Sequence, residues 1–165
     1  RIARESVSDM SDIVWAINPK RDSLLDVMRR MRRHAEEVFA AGNVKLAFTA
    51  PETDGTLRVG ISRRRDLFLI FKEAVNNPAR HSRCTHVAID LRAKGSWLEL
   101  RVSDDGTGFD SRAESEGQGL ASISRRAAMM GGKIEVESHP GQGTTVRLRV
   151  PCTGPGVLAS TYVNR

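Results

Sequence analysis

Leu67-Phe-Leu-Ile-Phe-Lys-Glu-Ala-Val-Asn-Asn-Pro-Ala-Arg-His-Ser82 is the stretch on which the reading of this chain turns. Leu67, Phe68, Ile70, Phe71, Ala74 and Val75 nearly surround a helix expected from about Ser62 to Ser82, and a helix apolar on most sides belongs deep in a domain. Glu73 and Asn77, four residues apart, share one face of it, with Arg80 and His81 a turn further on. A carboxylate can orient or deprotonate a nucleophile, an amide oxygen is a hard ligand suited to Mg²⁺, and a guanidinium pairs with phosphate oxygens. Taken alone, the same residues are better described as an ordinary exposed face.

Working outward, His86–Ala93 and Trp97–Ser103 alternate apolar and polar residues, and Lys94-Gly95-Ser96 between them makes a hairpin. Asp104 to Gly119 is too polar for core and has the length of a lid loop. A helix from about Leu120 to Met130 ends at Gly131-Gly132, and Ile134–Ser138 and Thr145–Val150 are two more strands joined through His139–Gly143. Upstream, Leu24, Leu25, Met28, Met31, Ala35 and Val38 form the stripe of a helix from Asp22 to Ala41, followed by a short strand Lys45–Thr49. Ile2, Val7, Met10, Ile13, Val14 and Ile17 mark an earlier helix stopped at Asn18-Pro19. One-sided strands need helices over their apolar face, so the expected fold is an α+β two-layer sandwich with a mixed or antiparallel sheet. The expected divisions are 1–19, 20–153 and a tail, 154–165.

The 165 residues suffice for one core, and no apolar run reaches membrane-spanning length. Cys84 and Cys152 lack the spacing of a disulfide framework or zinc site, which fits a reducing, cytoplasmic setting. The net charge of +6 raises the question of nucleic acid. The arginines, however, are spread through Arg29–Arg33, Arg63–Arg65 and Arg125–Arg126 without interleaved aromatics, so they read as solvated helix faces and no nucleic-acid or membrane contact is expected.

Three glycine-bearing segments complete the pattern. Asp104-Asp-Gly-Thr-Gly108 follows a strand, where Asp104 could accept a hydrogen bond from an exocyclic amine such as that of adenine, or where the chain simply turns. Gly117-Gln-Gly-Leu120 opens a helix whose free N–H groups suit phosphate. Gly141-Gln-Gly-Thr144 is by itself a hairpin turn.

In combination and in this order, these segments resemble the N box and the three glycine boxes of the GHKL ATPase superfamily. The closer likeness is to sensor histidine kinases, carried by Phe71–Asn77, Arg80-His-Ser82, Asp104–Phe109 and Gly119-Leu-Ala-Ser-Ile-Ser-Arg-Arg126. Ser11-Asp-Ile-Val-Trp-Ala-Ile-Asn-Pro19 is similar to the end of the dimerisation helix in the class paired with NarL-type response regulators.

The resemblance implies a Bergerat fold, preceded by a remnant of that helix, and protein-histidine kinase activity with ATP and Mg²⁺. It assigns Glu73 the catalytic carboxylate, Asn77 the metal, Arg80 and His81 the phosphates, and Asp104 the adenine. Gly106, Gly108, Gly117, Gly119 and Leu120 would shape pocket and lid, and Thr144 would support the adenine side. Partners implied are a response regulator and the protein's own dimerisation domain, within a homodimeric, membrane-anchored or cytosolic sensor. Three rivals share the boxes: a serine kinase of the anti-sigma-factor kind, a GHKL ATPase of the topoisomerase or chaperone kind, and a nucleotide-binding module with a degenerate site.

Pro78 departs from the family pattern and is expected to kink the helix at Asn77, because it removes one hydrogen bond and crowds the carbonyl of Ala74. None of His34, His81, His86 and His139 stands in a phosphoacceptor context, so autophosphorylation by these residues alone is not expected. His34 reads as an exposed helix residue.

Overall fold

The computed structural model describes residues 23–52, 59–94, 96–110 and 118–151, and Val14 singly. The helix expected before Pro19 and the tail after residue 153 lie outside the described residues, as do 111–117 of the expected lid. The element order is α1 (Leu24–Ala40), β1 (Lys45–Thr49), α2 (Ile61–Asn77), a π turn (Pro78–Ser82), β2 (His86–Lys94), β3 (Trp97–Asp104), α3 (Gln118–Met129), β4 (Lys133–Ser138) and β5 (Thr144–Pro151).

The five strands form one mixed sheet in the order β1-β2-β3-β5-β4. β1 runs parallel to β2, and the other three pairings are antiparallel. A parallel pair needs a crossover, which α2 supplies, and this places α2 against the sheet. Val87, Ile89, Leu91, Leu98, Leu100, Val102, Val146, Leu148 and Val150 alternate onto one face and are all buried. Leu67, Phe68, Ile70, Phe71, Ala74 and Val75 of α2 join the same core, as do Val27, Met28, Met31 and Phe39 of α1 and Ile123 and Ala127 of α3. The sheet's opposite face is a ladder of charge, with Asp90, Arg101, Arg147 and Glu135 in register across four strands and Arg92, Glu99, Arg149 and Lys133 beside them. Arg147–Glu137 and Lys133–Glu135 pair at 2.7 Å each. This is the α+β two-layer sandwich with helices on one face.

Two polar residues depart from expectation. Arg64 is fully buried, whereas Arg65 is exposed; position 64 lies three and four residues before Leu67 and Phe68 and so shares their inward face. His34 is not an exposed residue of α1: it is half-buried, and its ring meets Phe68 and Phe71 edge-on at 5.8 and 6.2 Å. Ser23 caps α1, its Oγ accepting from the Asp26 amide at 3.1 Å.

Candidate nucleotide site

α2 and α3 pack against each other, and two contacts fix their alignment: Arg126 to Asp66 at 3.3 Å, and Glu73 against Gly119. Residue 66 faces 126 and residue 73 faces 119, so the helices are antiparallel and the C-terminal end of α2 meets the first turn of α3. A Cβ on Gly119 would overlap the Glu73 carboxylate, so the absence of a side chain there is what allows the approach. Asn77 ends α2 half-buried, Arg80 is exposed in the following turn, and Leu120 packs against the core. Gly117 lies outside the described residues.

Pro78 does not stop the chain. The backbone stays right-handed through Asn77 (φ −58°, ψ −55°) and Pro78 (φ −61°, ψ −38°), and the helix widens into the π turn Pro78–Ser82. Widening is one way to accommodate a missing N–H, because the register of hydrogen bonds shifts by one residue. The turn ends on Arg83 in the left-handed region (φ 50°). Ser82 Oγ donates to the Pro78 carbonyl at 2.8 Å and accepts from the Cys84 amide at 3.2 Å.

Ser82 then meets the end of β3. Its carbonyl accepts from the Thr107 amide at 2.7 Å, and Gly106 lies so close to it that a Cβ would collide with that oxygen. Asp104, half-buried, accepts from the Gly106 amide at 2.9 Å. Burial pushes its carboxyl above the ordinary aspartate value, opposed chiefly by the hydrogen bond from the Gly106 amide. Asp105 faces the start of β2 and is held far below the ordinary range, first by the His86 amide and next by the Thr85 hydroxyl.

On the other side, the turn between β4 and β5 closes over the same loop. Gly141 N–H donates to the Thr107 carbonyl at 2.6 Å. Gly108 lies against the carbonyls of His139 and Gly143. Ser138 is 2% exposed; its Oγ donates to the Gly143 carbonyl at 3.2 Å, accepts from the Phe109 amide at 2.9 Å and lies 2.9 Å from Thr144 Oγ1. Thr144 pairs in register with both Asp104 and Ser138. Ser138→Ala leaves these groups partnerless in a buried place, so a loss of about 1–3 kcal/mol is expected. A chemical-denaturation midpoint unchanged from the parent would contradict that.

The motif residues thus gather in two connected groups. Glu73, Asn77 and Gly119 sit where α2 meets α3; Asp104, Gly106, Gly108 and Thr144 surround the end of β3; and the π turn joins the two. Sequence reasoning missed Ser82, Asp105 and Ser138, short polar residues whose partners lie up to 29 positions away. A concavity on the sheet's charged face, lined by Arg92, Glu99, Arg101, Arg147 and Arg149 among others, contains none of the motif residues.

A polar end of a buried helix, a half-buried aspartate at a strand end and glycine turns over it make a candidate ligand site on a two-layer α+β sandwich. Residues 62–154 match the family of histidine kinase-, DNA gyrase B-, and HSP90-like ATPases, and the chain belongs to that family. The curated proteins it resembles are sensor histidine kinases, which supports a histidine-kinase type of ATPase catalytic domain. It is 35% identical over 118 residues to a sensor-like histidine kinase of Chloroflexus aurantiacus, covering 67% of this chain and 20% of the relative. It is 41% identical over 86 residues to the sensor histidine kinase LiaS of Bacillus subtilis, covering 52% of this chain and 24% of that one. The chain therefore spans about a fifth to a quarter of the length of these relatives. Among solved structures, the histidine kinase domain of the blue-light activated histidine kinase from Erythrobacter litoralis superposes with a TM-score of 0.69 at 18% identity, covering 86% of this chain and 69% of that one.

Proposed function

We propose that this domain binds ATP with Mg²⁺ and, within a full-length sensor kinase, presents the γ-phosphoryl to a histidine on the dimerisation domain. Residues 1–19 would be the end of that dimerisation domain, residues 20–153 the catalytic domain and residues 154–165 a tail. The observation that carries the reading is the approach of Glu73 to Gly119 one helical turn before Asn77, with the π turn that follows Asn77 gripping the loop after Asp104 through Ser82. The donor set fits the group it would hold. Asn77 offers a hard amide oxygen at a helix end for Mg²⁺, and the half-buried Asp104 offers an acceptor for the adenine amine. Arg80 is exposed and so is available to phosphate, with His81 next to it, and Glu73 would polarise the attacking group. Gly106, Gly108, Gly117, Gly119 and Leu120 would frame the pocket and lid, and Thr144 would brace Asp104.

Magnesium, when bound, would offset charge on the phosphates. The protein's part is positioning: rigid placement of the reacting groups and donors aimed at developing charge. Phosphate would then pass to an aspartate of a response regulator, of the NarL type by the likeness of Ser11–Pro19. The parent would be a homodimeric sensor, membrane-anchored or cytosolic, with this domain in the cytoplasm.

The test is phosphotransfer in trans. The domain is mixed with a separately produced dimerisation domain of a relative carrying its histidine, and labelled ATP is added. Acid-labile, base-stable label on that histidine, lost with Asn77→Ala, is the expected result; label on serine, or none despite ATP binding, would overturn the kinase assignment. Pro78→Ala restores a donor next to Asn77 and is expected to tighten Mg²⁺-dependent ATP binding several-fold, an effect of roughly 1 kcal/mol. An unchanged titration would show that the π turn fully absorbs the proline.

A further inference from the structure

Asp105, beside the proposed adenine ligand, is turned away from it. One carboxylate oxygen accepts from the amides of Thr85 and His86, both at 2.8 Å. The other accepts from the Thr85 hydroxyl at 2.7 Å and lies 3.0 Å from His86 Nδ1. The Asp105 amide in turn donates to the His86 carbonyl at 3.3 Å. Four groups of one dipeptide thus converge on a single carboxylate at the protein surface, where a side chain would otherwise be free in water.

The dipeptide has its own anchor. Thr85 and His86 follow the π turn directly, and the Thr85 carbonyl accepts from Lys45 N–H at 2.9 Å, tying it to β1. The loop after β3 is therefore gripped twice by one segment: at Asp105 by residues 85 and 86, and at Gly106 and Thr107 by Ser82. With its two following residues fixed, Asp104 has little latitude in where its carboxyl points.

We infer that Asp105 is a specificity-determining positioning residue, which holds Asp104 where its carboxylate accepts from an amine-bearing purine and repels a carbonyl-bearing one. The inference rests on the proposed nucleotide site. Adenine carries an amine where guanine carries a carbonyl, so a fixed carboxylate favours the first and penalises the second. A carboxylate free to swing aside loses the penalty. The depressed titration of Asp105 agrees with this, since a carboxylate receiving several donors is held ionised.

The experiment is calorimetric titration of Mg·ATP and Mg·GTP into the parent and into Asp105→Ala, Asp105→Asn and Thr85→Val, with melting curves for each. In Asp105→Ala, ATP affinity is expected to fall about tenfold and the ATP-over-GTP preference to shrink by a similar factor, as when the group that discriminates by hydrogen bonding is no longer held in place. Asp105→Asn keeps an oxygen for the two amides and should retain most of the preference; Thr85→Val, lacking one donor, should fall between. If the alanine variant does not fold, the graded order of the other two carries the same test. A merely structural role would lower the melting temperature and leave the purine preference intact, and that outcome overturns the inference. A parent that binds neither nucleotide removes the nucleotide site itself; a parent that prefers ATP beside variants that prefer it equally removes only the role of Asp105.

Discussion

Asp104→Asn is expected to weaken ATP binding by about 10- to 100-fold, the equivalent of losing a charged hydrogen bond worth roughly 1.5–3 kcal/mol. The amide can still accept from Gly106 N–H, so the loop has a reason to stay in place; what it loses is a full negative charge facing the exocyclic amine. Stability should move the other way. The folded-state pKa of Asp104 is raised by burial, so the folded protein holds this proton more tightly than the unfolded chain does. Ionising the group therefore costs stability, and the cost appears as pH rises from the ordinary aspartate value of 3.8 through the raised one. At pH 7 the variant has no such cost, and its melting temperature should equal or exceed that of the parent. Binding by the parent should also weaken on acidification at a pH above that of an ordinary aspartate. A variant with lower stability and unchanged ATP affinity would assign Asp104 to the structure rather than to the nucleotide.

Gly143→Ala is expected to have the largest effect on stability. Gly143 has φ +74°, a left-handed conformation that costs an L-residue about 1–2 kcal/mol. Its added Cβ would also strike the carbonyl oxygen and carbon of Asp104, and backbone atoms held in the β3–β5 ladder cannot swing away as a flexible side chain could. Overpacking of this kind adds about 1–3 kcal/mol. A total of about 2–5 kcal/mol corresponds to a fall in melting temperature on the order of 5–20 °C for a chain of this size. Because the residue struck is Asp104, ATP binding should fail along with stability even in the fraction that remains folded. Gly141→Ala is the control: Gly141 also has positive φ, at 77°, but open space around it, so only the conformational cost applies. Equal melting temperatures for the two alanine variants would show that the contact with Asp104 carries no load.

Much of this fold was legible from local pattern. Lys45–Thr49 alternates cleanly and forms β1 over those residues, and the apolar girdle of Leu67–Val75 correctly put α2 inside. These signals are legible because burial is periodic along an element and the period is written in the side chains. The candidate site was legible to the extent that glycines and acids cluster at strand ends. Its internal wiring was not: Ser138 serves Phe109, Gly143 and Thr144, and Asp105 serves Thr85 and His86, through contacts that only the sheet order brings together. Pro78 leads to the expectation of a kink at Asn77; the disturbance takes the form of a π turn, closed by the Ser82 hydroxyl on the Pro78 carbonyl, and the local sequence does not distinguish the two because both accommodate the missing N–H. His34 and Arg64 were misread because a charged or titratable residue on a helix is more often outward; both fall on the faces where α1 and α2 contribute to the core.

The measurement that tests the central claim most directly is calorimetric titration of ATP into this domain with Mg²⁺ and with a chelator in its place. The account predicts saturable one-to-one binding that weakens when Mg²⁺ is removed and weakens by about 10- to 100-fold in Asp104→Asn. Absence of binding under both conditions by a folded protein, or binding that neither Mg²⁺ nor Asp104→Asn alters, would contradict it.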